Sequence, residues 1–134
     1  MNWTRFALAV LAAGSVSSMT DWLFMGDLLH KRFDTNPEIW RFPGGKGESK
    51  AIAWSSPLPF VTCAVFDFLC VHLRLYSYRS TFEFAAALWL ALPLPMLIVN
   101  AIWMKLSAPI AASYSVGWLV KLLVAAFSVA LILS

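Results

Sequence analysis

Apolar residues gather into four long runs, at about residues 5–25, 57–77, 82–104 and 110–132, separated by one long polar stretch and two short ones. Each run is long enough to cross a hydrocarbon layer of ~30 Å at 1.5 Å per helical residue. The pattern predicts an all-α integral membrane protein. Four transmembrane helices with one long first loop and two short turns give a single up-down-up-down bundle over residues 1–134, with both termini on one side.

The first run opens with Arg5 and FALAVLAAG and passes Ser15, Ser17 and Ser18, a sequence that imitates a secretory signal. The apolar character continues through Trp22 to Met25, so a retained span is expected. Val10, Gly14, Ser17, Ser18, Asp21 and Met25 share one of its faces. Small and polar residues on one stripe let membrane helices approach closely, so this face is expected to turn toward the bundle.

Residues 26–55 read as the one long connection. Asp27 to Phe33 would prolong the first helix. NPEIWRF would form a short interfacial helix with Asn36 as cap, Pro37 in its first turn and Trp40 as anchor. FPGGKGESK has the composition of a mobile tip. Pro57 and Pro59 open the second span, where Cys63, Asp67, Cys70 and Arg74 form one stripe. Pro93 and Pro95 are expected to kink the third span near its middle. In the fourth, Tyr114, Gly117, Lys121 and Ser128 mark an inward face.

Composition agrees: 60% of residues are hydrophobic and 13% charged, and mean hydropathy is +0.74, whereas soluble domains carry about 25% charged residues. A net charge of +3 does not argue for nucleic acid, and the seven tryptophans fit interfacial anchoring better than base stacking. Lys31, Arg32, Arg41, Lys46, Lys50 and Lys105 fall on the side of loops one and three, against Arg5, Arg74 and Arg79 on the other. The excess of positive charge then puts the long first loop in the cytoplasm and the termini outside. Cys63 and Cys70 lie seven residues apart, about 10 Å along a helix, too far for a mutual disulfide.

Candidate chemistry falls into two groups. Asp67 and Lys121, each near the middle of a span, read as an intramembrane ion pair, which would serve either proton- or ion-coupled transport or simply helix register. Asp21 lies about one turn inside the loop-one surface, at the expected depth of Asn100 and Tyr114. With Trp22, Trp40 and Trp103 at the rim and His30 and Arg41 in the loop above, these residues read as a pocket for a ligand or a partner. His30 and His72 fall on opposite membrane sides, and no CxxC, HExxH, glycine-rich phosphate loop or nucleophile elbow occurs, so neither a metal nor another cofactor is expected.

Thr20-Asp21-Trp22-Leu23-Phe24-Met25-Gly26, then His30, then Pro37-Glu38-Ile39-Trp40-Arg41, together resemble a signature of small bacterial four-helix membrane proteins grouped as a domain of unknown function. The resemblance covers about a fifth of the chain and implies a bacterial inner-membrane location, with no reaction attached. Small multidrug transporters are similar in having four helices and an acid in the first, but lack the long first loop. The leading reading is a non-enzymatic bacterial inner-membrane protein. It would bind a small apolar ligand, a membrane-protein partner or a second copy of itself, at a pocket roofed by the first loop. A small proton-coupled transporter using Asp67 and Lys121 ranks second and a membrane-embedded enzyme third. The lipid bilayer is the expected surrounding in each case.

Overall fold

The computed structural model describes residues 1–28, 37–39, 41–42 and 46–134. The described residues are helical, with no strand among them. Helix α1 (Trp3–Asp21) continues as a π-helical turn over Trp22–Asp27, and a 3-10 turn covers Pro37–Ile39. Helices α2 (Glu48–Ser55) and α3 (Leu58–His72) follow one another across Ser56 and Pro57. Helices α4 (Tyr78–Ala91) and α5 (Pro93–Trp103) meet at Leu92, and α6 (Ala108–Ser128) ends in a π-helical turn at Val129–Leu133. Four continuous stretches, Trp3–Asp27, Glu48–His72, Tyr78–Trp103 and Ala108–Leu133, are long and apolar enough to cross a membrane. They fit a multi-pass membrane protein.

Local chemistry explains the boundaries. The Asn2 side chain accepts from the backbone N–H groups of Thr4 and Arg5 and caps α1. Ser77 does the same for α4 through Ser80. The second stretch starts nine residues earlier than the hydropathy pattern indicated, and the reading of 26–55 as one connection is corrected at its end. Gly47, at φ 84°, turns the chain into α2, and from Glu48 to Ser55 no Gly or Pro interrupts the helix. The expected helix at NPEIWRF is one 3-10 turn over Pro37–Ile39, while Asn36, Trp40, His30 and residues 29–35 lie outside the described residues.

The second stretch also ends at His72 and not at 77. Arg74 N–H donates to the Val71 carbonyl and Leu75 N–H to the Cys70 carbonyl, the paired bonds of a Schellman ending, with Arg74 left-handed at φ 56°. An exposed arginine stands where glycine is conformationally free. Arg74→Gly is therefore expected to stabilise the protein by about 1 kcal/mol, seen as a higher thermal midpoint by circular dichroism; a lower midpoint would show that the arginine side chain contributes more than its backbone strain costs.

The expected kink in the third stretch is present. Leu92, at φ −120° and ψ −77°, departs from helical geometry where Pro93 and Pro95 remove backbone donors. Helix α6 is the centre of the packing, touching α1, α3, α4 and α5. The core gathers Ala13 of α1, Cys63, Phe66 and Cys70 of α3, Ala85 of α4 and Ala125 with Val129 at the end of α6. Small residues allow this closeness: Ala9, Ala13, Gly14 and Ser17 form the buried face of α1, and of the expected stripe Gly14 and Ser17 are buried while Val10, Ser18, Asp21 and Met25 are half-buried. Large apolar side chains such as Leu8, Leu11, Phe68 and Leu131 point outward, the reverse of a water-soluble surface pattern.

Candidate functional site

The seam between α1, α3 and α6 holds most of the polar groups withdrawn from the surface. Ser113 of α6 donates its hydroxyl to the Phe24 carbonyl at 3.0 Å, tying the start of α6 to the π-helical turn. Gly117 lies against the same turn, where a Cβ would come 3.2 Å from that of Phe24. This close approach brings Lys121 to Asp21: Nζ lies 2.7 Å from Oδ2, with the lysine side chain 5% and the aspartate 19% exposed. Trp118, one turn before Lys121, places its ring centroid 4.3 Å from the ammonium. The ammonium thus meets a carboxylate and an aromatic face, both favourable to a desolvated cation.

The Asp67–Lys121 ion pair read from the sequence is corrected by this geometry: Lys121 pairs with Asp21. Depth along the spans suggested the first pairing, but a helical side chain leans toward its own N-terminus. On α6 that direction is toward Ser113 and the end of α1, where Asp21 waits. A lysine can also carry its charge several ångströms from its backbone. Asp67 is wholly buried on α3 between Cys63 and Cys70, and neither of its oxygens has a hydrogen-bond partner among the described residues. Ser17 and Cys63 share a hydrogen bond at 3.5 Å in the same seam, and both cysteines are free, buried thiols.

Among the described residues, the pocket expected beneath the first loop does not assemble. Asp21 turns to Lys121 and is not joined to Asn100, which is half-buried on α5, or to Tyr114. Tyr114 packs instead with Ile39 and Leu106 around the buried Ile110, so the first loop does reach the start of α6. Trp22 and Trp103 point away from the interior, Trp103 being 83% exposed, as does Arg41. Outward tryptophans are suited to an interfacial belt and not to a pocket rim. His30 and Trp40 lie outside the described residues.

A cleft of about 690 Å³ opens elsewhere, between α3, the α4–α5 break and α6. Val65 and Leu69 of α3, Leu88 of α4, Met96 and Val99 of α5 and Trp118 of α6 line it, and Thr62 supplies the hydroxyl in an otherwise apolar wall. Val65, Met96 and Val99 are each more than half exposed, so the cleft faces outward from the side of the bundle. Leu92 at the break, with Pro93 and Pro95 after it, forms part of the lining. A smaller recess of about 470 Å³ lies beside it between α5 and α6, where Trp89 donates to the Ser115 carbonyl at 2.9 Å.

Sequence reading missed Trp118, the pairing of Ser17 with Cys63, and the cleft walls. Trp118 was within reach, because a residue three before Lys121 shares its helical face. Ser17 and Cys63 are 46 residues apart, and no local pattern joins them. Among the described residues no group of His, Cys, Asp and Glu is arranged to hold a metal ion. Comparisons with protein-family models, with curated proteins and with solved structures give no match.

Proposed function

We propose that this chain is a multi-pass protein of the bacterial inner membrane whose activity is to bind a hydrocarbon chain, taken laterally from the bilayer into the cleft between α3, α5 and α6. The observation that carries the reading is the cleft itself: about 690 Å³, within the 300–1,000 Å³ typical of small-molecule sites, apolar along its walls and open to the side. Its mouth is formed by exposed apolar residues of stretches long enough to span a membrane, which supports a mouth bathed by lipid. A linear acyl chain matches such a surface, because it needs no polar partner. The four stretches would run up-down-up-down, with the basic first loop in the cytoplasm and both termini in the periplasm. The bacterial assignment rests on the resemblance of residues 20–41 described above. Asp21 and Lys121 have a supporting role: they hold α1 against α6 and fix the Trp118 wall.

Filling the cleft tests this directly. In lipid nanodiscs a fluorescent long-chain fatty acid is expected to bind saturably and to be displaced by the unlabelled acid. Leu88→Trp, which crowds the cleft, should weaken binding at least tenfold, about 1.4 kcal/mol. Leu11→Trp, on the outer face of α1, should leave it unchanged. Equal binding by both variants, or no saturable binding at all, contradicts the reading.

A further inference from the structure

Charge balance inside the bundle leads beyond the cleft. Among the described residues the buried seam holds two carboxyl groups, Asp21 and Asp67, and one ammonium, Lys121. The ammonium is committed to Asp21 at 2.7 Å, with Trp118 over it. Asp67 is 0% exposed, and both its oxygens lack any partner among the described residues. An isolated carboxylate in such surroundings would cost far more than a folded protein has in reserve, so one further positive charge must accompany Asp67.

We propose that Asp67 is a proton-binding site of the bundle interior, holding the neutral carboxylic acid while the Asp21–Lys121 pair carries the seam's charge. The occupant is a proton and not an alkali ion because of what surrounds the carboxyl. A hard cation seeks several oxygen ligands, by the logic that governs calcium and magnesium sites. The groups flanking Asp67 on its own face of α3 are instead the thiols of Cys63 and Cys70. Among the described residues the other polar groups of the seam are spoken for: Ser17 of α1 is joined to Cys63, and Asp21 of α1 to Lys121 of α6. The exposed Glu83 on α4 pairs with Arg79 and does not enter the seam. Release of the Asp67 proton would leave two carboxylates to one ammonium, the situation in which intramembrane acids become coupled to proton movement.

Infrared spectroscopy of the protein in nanodiscs at neutral pH tests the assignment. A carboxylic-acid carbonyl band is expected that shifts in D2O, shifts again when aspartate is isotopically labelled, disappears in Asp67→Asn and persists in Asp21→Asn. The band should be the same in sodium, potassium and choline salts. Loss of the band in sodium alone would show a metal cation in the proton's place and overturn the proposal. So would a band that survives Asp67→Asn. Should Asp67→Asn fail to fold, Asp67→Glu decides the matter: an acid band that moves from aspartate to glutamate labelling supports the site, and a band still on aspartate, or none, overturns it.

Discussion

Replacing Asp21 with alanine is expected to destabilise the folded protein by about 3–5 kcal/mol, the cost of leaving a buried charge without its partner. Lys121 is 5% exposed at its side chain and its ammonium has one carboxylate, Asp21, within 4 Å among the described residues. The Trp118 face contributes about 2 kcal/mol when desolvated, less than the cost of losing the counter-ion. Removing both charges should therefore cost much less than removing one. The double variant Asp21→Ala with Lys121→Met is expected to recover most of the lost stability, because an apolar substitute of similar length relieves the desolvation of both ions. Chemical unfolding followed by circular dichroism checks this, and a double variant no more stable than Asp21→Ala would assign the pair a different role.

The second large effect is expected at Gly14, where α1 lies against α3. A Cβ placed there would collide with the Phe60 ring, not at its tip alone but back to its first ring carbon. The phenyl group cannot give way by a small swing; either Phe60 leaves its position or the two helices separate. Gly14→Ala should cost about 1–3 kcal/mol, the range for an overfilled interior. Reducing the obstacle should restore the loss, so Phe60→Ala is expected to be less harmful combined with Gly14→Ala than the sum of the two predicts. Strict additivity in that cycle would argue that Gly14 is required for its backbone and not for the closeness it permits.

Much of the architecture was legible because bilayer thickness and hydrophobic run length are strongly linked. The four long apolar helical stretches, the break ahead of Pro93 and the small residues at the buried face of α1 all follow from local composition. Boundaries were less legible where a polar composition hides helix. Residues Glu48–Ser55 carry lysine, glutamate and serine, yet nothing in them breaks a helix and Gly47 supplies its start. The candidate site was only half visible. That Asp67 and Lys121 needed to face the interior followed from their position in apolar runs, but which carboxyl met the ammonium depended on how α6 is rotated and where its side chains lean. Asn100 and Tyr114 share an expected depth with Asp21 but not a facing direction, and depth alone does not make a cluster. The cleft was invisible for another reason: it is lined by residues of four helices around the break at Leu92, and its walls, such as Val65, Leu88 and Val99, look in sequence like any other apolar residues of the long runs.

The apolar cleft as a hydrocarbon site is the central claim, and photo-crosslinking with a membrane-soluble acyl probe tests it most directly. A fatty acid with a photoreactive group along its chain would be partitioned into nanodiscs containing the protein, irradiated, and its adducts mapped by mass spectrometry. Adducts are expected to concentrate on the cleft walls, at Leu88, Met96 and Trp118, and to fall there when an excess of unlabelled fatty acid is present. Adducts spread over the outer faces, at Leu8, Leu11 and Leu131 as readily as in the cleft, and insensitive to competitor, would contradict the account.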